Sequence, residues 1–246
     1  MACISSRAGR APGFDEVEPH LVKKVIEYID ASFGQILDAL DDAGLRDNTI
    51  VIVSSDNGGV DYAYLQDFGH ETNGPYRGQK SELYEGGHRV PLMVRWPSAV
   101  APARINDLVV LTDIFPTLAA ILDEPLPDTV AVDGFSFSSL LMHDGTARSK
   151  TGRQTAVMHS LFGTFAVRRG PWKLILDDQG GGYGATYPEL LRGEIPQPEQ
   201  TAYRLFNLET DPAENVDVSK EYPEIVEQLS QDLRDIQNAD QSRRSE

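Results

Sequence analysis

Three things are scarce in this sequence of 246 residues: cysteine, positive charge and long apolar runs. The single cysteine excludes an internal disulfide but leaves the redox compartment open. Lys and Arg number 22 against 38 Asp and Glu, and the resulting net charge of −16 argues against nucleic acid as a partner. No apolar run approaches the length of a membrane span, and the first residues lack the apolar segment of a signal peptide. We therefore expect neither a nucleic acid nor a membrane as partner, and no signal peptide in this chain.

The apolar residues that are present follow helical and strand periods that indicate an α/β fold. Residues 21–40 carry them at three-and-four spacing, which predicts an amphipathic helix ending near Gly44. A β-branched run at 50–53 then predicts a buried strand, bounded by glycines. Helix followed by strand is the order that a doubly wound sheet needs. We therefore predict a parallel or mixed sheet that includes residues 50–54 and is flanked by this helix.

The pattern changes after a polar segment at 145–150, which marks the best domain boundary. Before it, residues 90–96 predict a second strand and residues 108–122 a helix with Pro116 near its first turn. Beyond it, we predict an antiparallel sheet of hairpins and one helix, with the strands at 155–159, 164–168, 172–176 and 203–207 and the helix at 225–236. The chain thus divides into a disordered tail (1–16), an α/β part (17–145) and a small α+β subdomain (146–246).

Polar side chains stand where the strand at 50–53 ends. Asp56 and Asn57 come directly before the glycine pair Gly58-Gly59. In open α/β sheets ligands bind beyond the carboxyl ends of the strands, and carboxylate and amide oxygens are ligands that calcium and magnesium select. Lys80 follows in a second loop rich in glycine and could supply positive charge to an anionic group. These residues predict a metal-dependent site for an anion.

The phrases along this stretch resemble the type I sulfatases, whose fold is that of alkaline phosphatase. They are Asp56-Asn57-Gly58 after a strand, Gly78-Gln79-Lys80, Tyr84-Glu85-Gly86-Gly87-His88-Arg89-Val90-Pro91 and Trp96-Pro97. Phrases around Trp172 and Asp211 also resemble the C-terminal subdomain of that family. The resemblance implies part of an alkaline phosphatase-like doubly wound sheet in 17–145, as the C-terminal part of the sulfatase catalytic domain, followed by the α+β subdomain.

The resemblance also implies roles for single residues. Asp56 and Asn57 match two ligands of the catalytic calcium, and Lys80 matches the lysine that contacts the sulfate. His70 and His88 flank the Lys80 loop, and either could contact sulfate or donate a proton; the alternative for each is an ordinary loop histidine. The scaffold residues behind the site are Glu85, Gly86, Gly87 and Pro91. The substrate implied is a sulfated small molecule or carbohydrate.

The nucleophile of the family has no clear counterpart here. In sulfatases it is a formylglycine made from the cysteine of a Cys-x-Pro-x-Arg or Cys-x-Ala-x-Arg motif, which follows a pair of aspartates. Cys3 stands in Cys-Ile-Ser-Ser-Arg, but no such pair precedes it and the family's continuation is replaced. We interpret Cys3 as a chance match in a frayed terminus rather than as the nucleophile. We therefore expect the chain alone to be inactive, and its relatives to hold the nucleophile in a preceding half.

Three classes of function remain open at this point. The first is a sulfatase represented by its C-terminal portion. The second is a phosphohydrolase of the alkaline phosphatase superfamily, which shares the placement of metal at strand ends. The third is a non-catalytic remnant that folds and interacts with another chain. The phrases around Lys80 and Glu85 favour the first class over the second.

Overall fold

The computed structural model of the protein describes residues 19–60, 69–142, 152–161, 163–176, 180–182, 203–239 and 241–243. Cys3, the predicted tail 1–16 and the polar segment 145–150 lie outside these residues. The helices are α1 (Pro19–Asp42), α2 (Glu85–His88), α3 (Ile114–Ile121), α4 (Ser138–Leu141) and α5 (Pro223–Ala239). The strands are β1 (Val51–Ser54), β2 (Leu92–Arg95), β3 (Thr155–His159), β4 (Phe165–Arg169), β5 (Trp172–Ile175) and β6 (Arg204–Asn207). Each predicted helix and strand is confirmed, with ends that differ by a few residues.

The sheet that holds β1 consists of two strands within the described residues. β1 pairs antiparallel with β2, in a register that sets Val51 opposite Arg95 and Ser54 opposite Leu92. A parallel pair needs a crossover connection, usually a helix of several turns. Between these two strands, the described residues contain only the short helix α2, so the chain returns in the opposite direction. Within the described residues β2 is the partner that β1 has, so the parallel or mixed sheet expected around it stays a prediction; β1 itself is half-buried rather than buried.

Helix α1 carries the predicted apolar stripe but does not bury it against the described residues. Its side chains Ile26 and Ile36 remain 56% and 54% exposed. At its C-terminal end Asp41 pairs with Arg95 of β2 at 3.5 Å and with Arg46, in the turn after the helix, at 3.6 Å. No helix in the described part of the chain is long and apolar enough to cross a bilayer.

The second sheet is antiparallel, as predicted, with the order β3-β4-β5-β6. Alternate side chains of its strands face opposite sides. Val167, Leu174 and Leu205 face one side, where α5 packs Leu229 and Leu233 onto them. On the other side a second cluster joins sheet residues to Leu83 and Tyr84 from the loop before α2, and comprises Leu83, Tyr84, Ala166, Ile175, Phe206 and Leu208. The loop before α2 therefore occupies the face of the sheet that α5 leaves open.

A buried ion pair also crosses the predicted boundary between 17–145 and 146–246. The Arg153 guanidinium, just before β3, donates from Nε to Asp113 Oδ2 at 2.9 Å and from Nη2 to Asp113 Oδ1 at 2.5 Å. Asp113 also accepts the backbone N–H groups of Val110 and Phe135. The two parts of the chain thus share both apolar and ionic contacts, and the domain division stays a prediction.

Candidate functional site

The Asp56-Asn57 pair stands directly after β1, at the carboxyl end of the strand as predicted. Asp56 is exposed and Asn57 half-buried. The Asn57 Nδ2 donates to the Gly58 carbonyl at 3.0 Å, so the amide oxygen is the atom left for a cation. The Ser55 hydroxyl donates to the Asn57 carbonyl at 2.9 Å and holds the turn.

The Lys80 loop lies against the Asp56-Asn57 loop through the backbone. The Lys80 N–H donates to the Gly59 carbonyl over 3.1 Å. Asn73 joins the same two loops: its Oδ1 accepts from the Gly59 N–H at 2.8 Å, and its Nδ2 donates to the carbonyls of Gly59 and Gly78. The structure therefore brings the loops of Asp56, Asn57 and Lys80 together, and the Lys80 side chain is exposed beside them.

Three glycines allow this close approach. The Gly58 N–H donates to the Gly87 carbonyl at 2.9 Å, and the Gly86 N–H donates to the Arg77 carbonyl at 2.7 Å. A Cβ on Gly58 would overlap the Gly86 carbonyl oxygen, and a Cβ on Gly86 would overlap that of Gly78. Because the obstacle is backbone in each case, no side-chain movement could relieve it. Gly86 and Gly87 are thus scaffold positions where two loops touch backbone to backbone.

Positive charge collects around these loops despite the net charge of −16. The Arg77 guanidinium lies 4.1 Å from the Tyr84 ring centroid and donates to the Glu214 carbonyl at 3.0 Å. Arg89 lies 4.5 Å from the Tyr76 ring centroid and pairs with Glu85 at 3.0 Å. Stacking and pairing hold both guanidiniums in place, next to the loop that carries Lys80.

An open cleft of about 420 Å³ runs along the loop before Lys80. His70, Thr72, Asn73 and Arg77 contribute to its polar lining. His70 is exposed there, in the position expected for a residue that faces a ligand. Its role in substrate binding stays a prediction.

His88, the last residue of α2, lies against Lys173 of the C-terminal sheet. Its Nδ1 faces the Glu82 carbonyl at 3.3 Å, and its Nε2 faces the Lys173 ammonium at 3.2 Å. A carbonyl requires a proton on Nδ1 and an ammonium requires a lone pair on Nε2, which together define a neutral ring. Burial and the adjacent Lys173 charge lower the pKa of His88 to about 4. At neutral pH this ring has no spare proton to donate, and its predicted contact with sulfate stays a prediction.

Lys173 is the centre of a buried ionic cluster that the sequence analysis did not identify. Its ammonium, 0% exposed, lies 3.1 Å from Glu85 Oε1 and 2.9 Å from Glu214 Oε1. The Glu85 backbone N–H donates to Glu214 Oε2 at 2.5 Å. Arg168, opposite Lys173 in the sheet, lies 3.5 Å from Glu85. A lysine within the apolar run Trp172–Ile175 was the signal in the sequence, because a charge in a buried strand requires partners.

The two carboxyl groups of the cluster have pKa values shifted in opposite directions. Burial would raise the pKa of Glu85, but the charges of Lys173 and Arg168 outweigh it and lower that pKa. Burial raises the pKa of Glu214, with Lys173 opposing it. Glu214 also adopts a left-handed backbone conformation, φ 54°, which is costly for a residue other than glycine. Glu85 is therefore the firmly ionised partner of Lys173.

Asp56 and Asn57 meet part of what a calcium ion requires of its ligands. Asp56 and Asn57 are oxygen donors of the right kind, but calcium takes six to eight oxygens. In the part of the chain that the structure describes, no group of three or more His, Cys, Asp or Glu side chains is arranged to hold a metal ion. Asp56 and Asn57 are therefore suited to a calcium ion in their chemistry but are fewer than the ligands that it needs.

Comparison with known proteins identifies the family to which this chain is similar. The family model described as Sulfatase matches residues 23–124. The chain is 36% identical over 219 residues to an N-acetylgalactosamine-6-O-sulfatase of Bacteroides thetaiotaomicron, covering 86% of this chain and 41% of that protein. It is 31% identical over 238 residues to human arylsulfatase A, covering 93% of this chain and 44% of that protein.

A solved structure gives the same result. One from work on glycosaminoglycan metabolism by Bacteroides thetaiotaomicron superposes with a TM-score of 0.70 at 33% identity, over 85% of this chain and 43% of that chain. The chain belongs to the sulfatase family, and its fold is that of the alkaline phosphatase-like enzymes. It spans about two-fifths of the length of the curated relatives it matches.

We predict that Gly58→Ala displaces the two loops and lowers the free energy of unfolding by about 1–3 kcal/mol, because the added methyl meets the Gly86 carbonyl. Gly34→Ala, inside α1 with nothing near the new methyl, is the matched control and should stabilise by about 0.5–1 kcal/mol. Urea unfolding of both variants measures the difference. A Gly58→Ala protein as stable as Gly34→Ala would show that the close approach is wrong.

We predict a pH-dependent stability that comes from His88. Above pH 6.5 the ring is neutral in both states; as pH falls, the unfolded chain binds a proton near 6.5 while the folded ring stays neutral to about 4. The free energy of unfolding should therefore fall by roughly 3 kcal/mol more in the wild type than in His88→Gln between these values. Gln offers an oxygen to Lys173 but no titratable group. Urea unfolding across this pH range is the measurement, and equal slopes for the two proteins would contradict the assignment.

Proposed function

We propose that this chain supplies the metal-binding and sulfate-binding loops of a sulfatase that hydrolyses sulfate esters. The observation that carries the proposal is the junction of two loops: Lys80 N–H meets the Gly59 carbonyl, and Asn73 binds both loops. Residues that would hold a cation and a residue that would hold an anion thus stand on one connected scaffold. Membership of the sulfatase family supports the same chemistry.

In this proposal Asp56 and Asn57 provide two of the oxygens that hold calcium, and the remaining ligands come from outside the described residues. Bound calcium would neutralise the sulfate oxygens and lower the energy of charge that develops in the transition state. Lys80 contributes a mobile point charge to the same oxygens. Its exposure at the loop surface leaves it free to reach a bound anion.

The substrate that we propose is a sulfated carbohydrate or a sulfated small molecule. Support comes from a relative whose name specifies an N-acetylgalactosamine sulfate. A net charge of −16 repels such an anion at long range, but salt screens that repulsion beyond about 8–10 Å. Lys80, with Arg77 and Arg89 held nearby, gives local attraction at contact distance.

The first prediction from this function concerns calcium. We expect the chain to bind it with a dissociation constant of about 1 mM or weaker, because two protein ligands are few for this ion. Amide NMR shifts of Asn57 and Gly58 during a calcium titration measure it. Asp56→Ala should remove the shifts, whereas Asp107→Ala, an exposed acid elsewhere, should leave them unchanged. Loss of the shifts in both variants, or in neither, would reject Asp56 as a ligand.

The second prediction concerns turnover. We expect the purified chain to hydrolyse neither a chromogenic aryl sulfate nor an aryl phosphate above background, with or without calcium. Covalent catalysis without its nucleophile loses many orders of magnitude in rate, and the formylglycine motif of the family is absent from this sequence apart from the match at Cys3.

If turnover is found, the variants Cys3→Ala and Asp56→Ala distinguish which residue it depends on. Activity that disappears in Cys3→Ala would restore Cys3 as the nucleophile and overturn this expectation. Activity that survives Cys3→Ala but disappears in Asp56→Ala would indicate a metal-dependent phosphohydrolase in place of a sulfatase.

A further inference from the structure

We propose that Lys173, on the C-terminal sheet, is a positioning residue for the loops that carry Asp56 and Lys80. The functional meaning of that position rests on the proposed function, whereas the contacts themselves do not. Lys173 has no contact with Asp56, Asn57 or Lys80 among those that hold it in place. It acts through Glu85 and α2, which stand between the sheet and those loops.

The ammonium of Lys173 contacts partners on two segments that are distant in sequence: it bonds to Glu85 and His88 and forms an ion pair with Glu214. Glu85 and His88 belong to α2, and Glu214 belongs to the loop after β6. The register of β5 against β4 and β6 fixes the Lys173 backbone, with Arg168 and Phe206 as its neighbours. A central strand of a paired sheet is a rigid base, so the ammonium defines where α2 can lie.

Backbone hydrogen bonds join α2 to both loops, so the position of α2 determines where the loops lie. The Gly86 N–H binds the Arg77 carbonyl, and the Gly87 carbonyl accepts from the Gly58 N–H. These contacts allow no room for a Cβ, so a shift of α2 must move both loops. The path from the ammonium to the two loops therefore contains Glu85, the two glycines of α2, Gly58 of the Asp56 loop and Arg77 of the Lys80 loop.

Charge explains why Lys173 positions these segments rather than only filling space. Without it, Glu85 and Glu214 would face each other, and His88 would lose the donor that fixes its ring. Glu85 would keep Arg89 at 3.0 Å and Arg168 at 3.5 Å, so its charge stays partly compensated. We therefore expect displacement of α2 and the Glu214 loop, with the sheet and α5 intact, because Lys173 lies on the face away from α5.

The test is amide hydrogen exchange measured by NMR on the full chain and on Lys173→Met. The reporters are the Gly58 and Lys80 amides, which donate at the loop junction. They should exchange about tenfold faster or more in Lys173→Met, while amides in β3 and α5 change less than about twofold. Arg169→Met is the matched control: it removes a basic side chain of the adjacent strand that binds Asp232 on α5, and it should leave both reporters unchanged.

A second measurement on the same samples is the pKa of the His88 ring. Its pKa, about 4 in the wild type, should rise in Lys173→Met because a neighbouring positive charge has been removed. The Arg169→Met protein should keep the wild-type value. This signature reports on the contact with Lys173 and does not depend on catalysis.

Each outcome decides the inference. Unchanged reporters in folded Lys173→Met overturn it, and so does faster exchange throughout the sheet, which is the result of a purely structural role. Should that variant not fold, Lys173→Met with Glu214→Gln, which removes one of the two opposed charges, is measured in the same way, and its failure to fold also overturns the inference. Calcium binding that depends on Asp56 is measured separately, so the proposed function can fail while this inference stands, and the reverse.

Discussion

Burying an ammonium group away from water costs several kcal/mol unless acceptors surround it, and the fold around Lys173 is built to satisfy that requirement. Its partners are Glu85 and His88 of α2 and Glu214 of the loop after β6, two segments that are distant in sequence. Hydrophobic contact of Leu83 and Tyr84 with the sheet brings these segments close but has no direction. The ionic contacts add direction, since a charge in a region of low dielectric tolerates few arrangements of its partners.

The candidate site depends on a division between buried and exposed charge. The inner charges, on Lys173, Glu85 and Glu214, compensate one another and contribute little to the electrostatic potential at the protein surface. The outer ones, on Lys80, Arg77 and Arg89, lie at the surface, and the two arginines are anchored by aromatic rings and by acceptors of the inner cluster. A chain with a strong excess of acidic residues can in this way present a local positive surface to an anion.

Sequence periodicity was sufficient for most of the secondary structure, and the motifs pointed to two loops that lie against each other in the structure. The strands at 155–159 and 172–176 and the helix after 223 follow from local patterns, which is why they agree with the structure. Strand direction did not follow, since the pairing of β1 with β2 depends on the long connection between them. Asn73 and Glu214 were also missed. Each looks like a turn residue in sequence, and its role arises only from partners brought close by folding.

The conformation of Glu214 has a consequence for engineering this protein. A left-handed backbone costs a non-glycine residue about 1–2 kcal/mol, so a stability algorithm that considers only dihedral angles would replace Glu214 with glycine. That change would relax the backbone and at the same time delete a carboxylate that faces a fully buried ammonium. Because loss of a partner from a buried pair costs more, about 3–5 kcal/mol, the apparent improvement would be a net loss. At this position the side chain contributes more to stability than its backbone conformation costs.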